Sequence, residues 1–119
     1  PLMSEAGPEP GNGGAIIVTG NTGAMRGRPR YIGFSPTKAA QRNLAECLAR
    51  ELGPQGIHVA YVVIDAMIDM PMVRKRLTDK PDDFFAKPAD IAGEVFHTAH
   101  QPPSTQSFLV EIRPHGEPW

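Results

Sequence analysis

Lys38 follows the aromatic ring of Phe34 by four residues, a spacing that makes the two side chains neighbours on a helix. An ammonium beside a phenol favours the phenolate and readies it for proton transfer. Phe34 has no hydroxyl, so the pair keeps the cation and lacks the acid. Asn21 and Thr22, further upstream, each carry a side chain able to hydrogen-bond a substrate oxygen, but neither supplies a proton of suitable acidity. Tyr31 has a hydroxyl, yet it stands seven residues from Lys38, which puts two helical turns between the groups.

The other reactive side chains point to less. His58, His97, His100 and His115 form no recurring ligand spacing, and the i, i+3 pair His97 and His100 lacks a third ligand, so no metal site is expected. Met67, Met70 and Met72 read as core or pocket lining. Cys47 lies among alanines and leucines and is expected to be a small buried apolar residue. Arg26, Arg28 and Arg30 are interrupted by Gly27 and Pro29, and read as a solvated loop rather than a phosphate-tracking patch. The run Val18-Thr19-Gly20-Asn21-Thr22-Gly23-Ala24 admits a glycine-loop reading, in which backbone amides at a helix start hold a pyrophosphate. That reading requires a helix directly after the loop, where Arg26 to Arg30 would break one.

The elements that must position these groups are legible from pattern. Ala15 to Thr19 is a short β-branched run between glycines, expected as a strand buried on both faces. Gly20 to Arg30 reads as loop. A helix is expected from about Phe34 to Leu52, with Ala40, Leu44, Cys47, Leu48 and Leu52 on its inner face and Gly53-Pro54 as its stop. Ile57 to Ile64 reads as a second buried strand. A mixed segment over 65–87 contains a short helix near Val73 to Leu77. Pro88 opens a further helix with Ile91, Val95, Phe96 and Ala99 inward, and Pro102-Pro103 closes it. Ser107 to Arg113 reads as a third strand. Strand, helix, strand, helix, strand predicts parallel crossovers in an α/β layer fold.

Five segments in this order resemble the C-terminal half of a short-chain dehydrogenase/reductase. Gly13 to Gly20 is similar to that family's fifth strand, which ends at the catalytic serine. Phe34-Ser35-Pro36-Thr37-Lys38 resembles its Tyr-x-x-x-Lys helix. Arg50 to Val59 resembles the junction into the sixth strand, Ile68 to Met72 the segment that crosses the nicotinamide, and Pro88 to Ala92 the start of a late helix. The resemblance covers about residues 13–113.

The resemblance implies part of a Rossmann-like doubly wound parallel sheet (family strands 5, 6 and 7), an NAD or NADP cofactor, and hydride transfer on a carbonyl or alcohol substrate. It places Phe34 at the tyrosine position, Lys38 at the lysine that holds the nicotinamide ribose, and Asn21, with Thr22 beside it, at the serine. Asp65, Ala66, Ile68 and Met70 fall in cofactor-facing segments, where Asp65-Ala66 replaces a Pro-Gly pair and Met70 a threonine. The site is therefore expected to be atypical, and a non-catalytic regulatory or scaffold protein of the same fold is the alternative.

Organisation and compartment follow as expectations. Residues 1–14, rich in proline and glycine, form a flexible lead-in; 15–113 form the sheet domain; 114–119 form a tail. The family's glycine fingerprint is missing from the 119 residues, so a fragment of a longer protein is expected. The first strand would then have an open edge, expected to be covered in a homo-oligomer or by a nucleotide-binding half. With a formal net charge of -1 and 21% charged residues, no nucleic-acid partner is expected. No apolar run approaches the roughly 20 residues that cross a bilayer. A single cysteine fits a reducing compartment, so a cytoplasmic protein is expected.

Overall fold

The computed structural model describes residues 13–117. Most of the expected lead-in and the last two residues of the tail lie outside them. The chain runs β1 (Ala15–Gly20), α1 (Phe34–Leu52), β2 (His58–Ile64), β3 (Met67–Ile68), α2 (Pro71–Arg76), β4 (Phe85–Ala86), α3 (Pro88–Ala99) and β5 (Leu109–Ile112). Three strands form a parallel sheet in the order β1-β2-β5. Ala15 pairs with His58 and Gly20 with Val63, while Tyr61 pairs with Leu109 and Ile64 with Ile112. The α/β fold with parallel strands is the one expected.

The central strand is buried throughout because both of its faces are covered. Tyr61 and Val63 pack with Ala45 of α1 and with Ala24. Alternation along the strand sends Ala60 and Val62, both 0% exposed, to the opposite face, and α3 also packs on β1 and β2. β1 is only partly buried, against the expectation of burial on both faces. It is an outer strand of the described sheet, so its neighbours cover it from one side only.

Two helical faces differ from expectation. In α1 the buried residues are Ser35 and Ala45, of which Ala45 packs with Tyr61 and Val63 of the sheet, whereas Leu44 is 61% exposed and Cys47 is exposed. The small side chain at 45 lets the helix approach the strand closely; Leu48 and Leu52 are half-buried as expected of the inner face, and Ala40, Leu44 and Cys47 turn outward. In α3, Thr98 is buried and Phe96 is exposed, its ring stacked on His100 at 4.0 Å.

The mixed segment is tied down by charge. β3 and β4 form a two-stranded parallel ribbon pairing Met67 with Phe85 and Ile68 with Ala86. Asp69 accepts from Arg74 Nε at 2.6 Å and from Lys87 at 2.8 Å. The same two cations reach Asp82 at 2.5 and 2.8 Å, and Arg74 lies over the Phe85 ring at 4.0 Å. Among the described residues no helix is long and apolar enough to cross a membrane.

Candidate active site

The site is built where β1 ends. Asn21 stands in extended backbone and its Oδ1 accepts from the Gly23 N–H at 2.9 Å, capping the single 3-10 turn Thr22–Ala24. An asparagine oxygen here satisfies a donor that the turn leaves free. The cap uses Oδ1 and does not involve the Asn21 amide nitrogen. No long helix follows the turn, because the chain stays irregular to Gly33. The glycine-loop reading of 18–24 is thereby ruled out.

Tyr31 and Phe34 bring the loop onto the start of α1. The backbone N–H groups of Phe34 and Ser35 both donate to the Tyr31 carbonyl, and the two aromatic rings meet at 5.8 Å with a 59° tilt. Lys38 Nζ lies 5.9 Å from the Phe34 ring centroid and donates to Gln41 Oε1 at 3.1 Å. The spacing of 34 and 38 thus places ring and ammonium together, one turn apart on α1.

A cleft of about 260 Å³ gathers Asn21, Thr22, Phe34, Asp65 and Ala66 with Tyr31 and Glu117, while Lys38 is not among its lining residues. Asp65 reaches it from the end of β2 and accepts from Arg113 Nη2 at 2.5 Å. Two expected cofactor residues lie elsewhere. Ile68 is in the β3-β4 ribbon and lines an apolar groove beneath α3, and Met70 precedes α2 and is 41% exposed. The histidines are scattered: His58 Nε2 is 2.8 Å from the Ser107 carbonyl oxygen and links β2 to the approach to β5.

Sequence pattern did not single out Ser35 or Glu117. The Ser35 hydroxyl is buried without a hydrogen-bond partner, as is one carboxyl oxygen of Glu117. Burial pushes the Glu117 carboxyl above its ordinary value, and the Asp65 carboxylate adds to the shift. Arg113, the Met67 backbone and Arg28 oppose it. A carboxyl whose folded pKa is raised binds its proton more tightly in the folded state. Its contribution to stability is present in acid and lost as pH rises through the folded value. Glu117→Gln should therefore be more stable than the parent protein at neutral pH. The gap should close as pH falls to the ordinary carboxylate range, as urea midpoints measured across pH would show.

Comparison with known proteins agrees with this fold. Residues 1–95 match the family model described as enoyl-(acyl carrier protein) reductase. The chain belongs to the short-chain dehydrogenase/reductase family. It is 37% identical over 86 residues to the 3-ketodihydrosphingosine reductase of Dictyostelium discoideum, a match covering 72% of this chain and 25% of that protein. A short-chain dehydrogenase from Rhodopseudomonas palustris superposes with a TM-score of 0.68 at 32% identity, over 96% of this chain and 42% of that one. An NADPH-bound short-chain oxidoreductase of Pseudomonas aeruginosa, described as having an atypical catalytic centre, shares the fold with a TM-score of 0.70 and 19% identity. That match covers 85% of this chain and 45% of the other. This member of the family thus spans less than half the length of these relatives.

Proposed function

We propose that the chain is the substrate-side half of an NAD(P)-dependent oxidoreductase acting on a carbonyl or alcohol through an atypical site. The observation that carries this is the cleft, which unites Asn21, Thr22, Phe34, Asp65 and Ala66, with the Lys38 ammonium outside its lining but 5.9 Å from the Phe34 ring. At about 260 Å³ it falls short of a whole dinucleotide site, since small-molecule pockets run from about 300 to 1,000 Å³. It suits one end of the cofactor and the reacting carbon. The residues fit that use: the Asn21 amide donates, the unpartnered Ser35 hydroxyl can donate or accept, and Lys38 supplies a cation for the ribose. The cofactor would supply the hydride chemistry. The side chains bind, orient and exclude water.

Phe34 favours a second reading, a protein that keeps the fold for regulation or scaffolding. At the position where the resemblance expects the catalytic acid, the ring has no proton to give. Titration with NADPH and with NADH, followed by nicotinamide fluorescence and by turnover on a panel of ketones, separates the two. Saturable binding with slow turnover supports the oxidoreductase. Binding with no turnover, even after a tyrosine is restored at 34, supports the second reading, and loss of binding altogether removes the first.

A further inference from the structure

A second groove of about 750 Å³ adjoins the cleft and shares Gly23, Arg28, Tyr31 and Ser35 with it. Its charge is one-sided. Arg26, Arg28 and Arg30 all line it, and no aspartate or glutamate does. None of the three guanidinium groups is ion-paired among the described residues, whereas Arg42, Arg50, Arg74 and Arg113 each hold a carboxylate. The rest of the wall is largely apolar and includes Met25, Tyr31 and Ile32, the last 93% exposed.

Two further observations point to a ligand. Ser35 is only 6% exposed, lines both spaces, and leaves its hydroxyl without a partner. A buried hydroxyl left unpaired is costly until something bonds to it. Arg30 holds a left-handed backbone at φ 71°, a conformation that costs a non-glycine residue about 1–2 kcal/mol. Such strain concentrates where a side chain is held for a purpose.

Building on the oxidoreductase reading, we propose that this groove binds the anionic end of the substrate. The substrate class is then a carbonyl or alcohol compound with an apolar body and a carboxylate or phosphate. The reacting carbon lies in the cleft, the body runs over Tyr31 and the apolar wall, and the anion meets the arginine loop. Guanidinium groups suit both carboxylate and phosphate, because their donors match either oxyanion in pairs.

The test compares three probes with matched chains by calorimetric titration of the protein: 6-oxoheptanoate, 5-oxohexyl phosphate and uncharged 2-heptanone. Either anion should bind about tenfold more tightly than the neutral ketone, as expected of charge-assisted contacts. The tighter of the two identifies the headgroup. The preference should weaken with added salt, since exposed charges are screened beyond about 10 Å at 0.1 M, and should vanish in the R26Q/R28Q/R30Q variant. Equal binding of all three probes, or a preference that survives the triple substitution, overturns the proposal. Nicotinamide binding is measured separately. If the anion preference holds while nicotinamide binding is absent, the groove assignment is supported and the oxidoreductase reading alone fails.

Discussion

Phe34→Tyr is expected to raise turnover with a nicotinamide cofactor by about 10²- to 10⁴-fold, the contribution of a positioned acid or base. The argument rests on placement. The ring already lines the cleft, and the Lys38 ammonium already stands 5.9 Å from its centroid. A phenol at that place would sit beside a cation that favours its ionised form. Among the described residues the Lys38 amine donates to the neutral Gln41 amide and forms no ion pair, so no carboxylate there cancels its charge. The gain should appear in kcat with KM little changed, because the new group acts on the reacting oxygen rather than on ground-state binding. Lys38→Met in the same background should remove most of it. Unchanged turnover with intact cofactor binding would count against an oxidoreductase site and favour the scaffold reading.

Gly20→Ala is expected to cost about 1–3 kcal/mol of stability, the usual penalty for overfilling a packed core. A Cβ at Gly20 would run into the Tyr61 hydroxyl and ring, with Cε1 at 2.6 Å. Tyr61 is 0% exposed and cannot swing away. The hydroxyl it would be pushed against already has no partner, so no hydrogen bond is gained in return. Gly20 also precedes the Asn21 cap, and a displaced strand end should weaken substrate binding too. Gly27→Ala is the control, since a Cβ there meets nothing within 4 Å, and should stay within about 0.5 kcal/mol of the parent. Urea unfolding of both variants decides the matter. Equal losses at the two sites would mean that the Gly20–Tyr61 contact is not what limits the position.

The sequence showed most clearly what depends on short-range pattern. The bounds of α1 were readable because Gly53-Pro54 stops a helix whatever it packs on. The parallel strands were readable because β-branched runs between glycines alternate with helical ones. The pairing of Phe34 with Lys38 needed only a helix. What stayed hidden depends on the chain meeting itself at long range. Glu117 lies 52 residues from its neighbour Asp65, and no periodicity links the two. The inner face of α1 was misread for a related reason. Leu44 and Cys47 look like core by hydrophobicity, yet both are exposed and the small Ala45 packs on the sheet. Ile68 and Met70 were given cofactor-facing places by resemblance; neither lines the cleft, whereas Met67, next to Ile68 in β3, does.

The quartet of Asp69, Arg74, Asp82 and Lys87 gives the 67–87 segment a vulnerability that the main sheet shares only at its edge, through Arg113. Side-chain bonds to Arg74 and Lys87 hold the Asp69 carboxyl well below its ordinary value, and the same two cations depress Asp82. Stability supplied by depressed carboxylates is present above their ordinary range and drains away as acid protonates them. The main sheet has a carboxylate pair of its own, Asp65 and Glu111 on Arg113, but its strands are held chiefly by main-chain pairing and apolar contact. Acid below the ordinary carboxylate range should therefore loosen this segment first and leave the α/β body standing, a partial opening visible as early amide exchange at Met67 to Lys87.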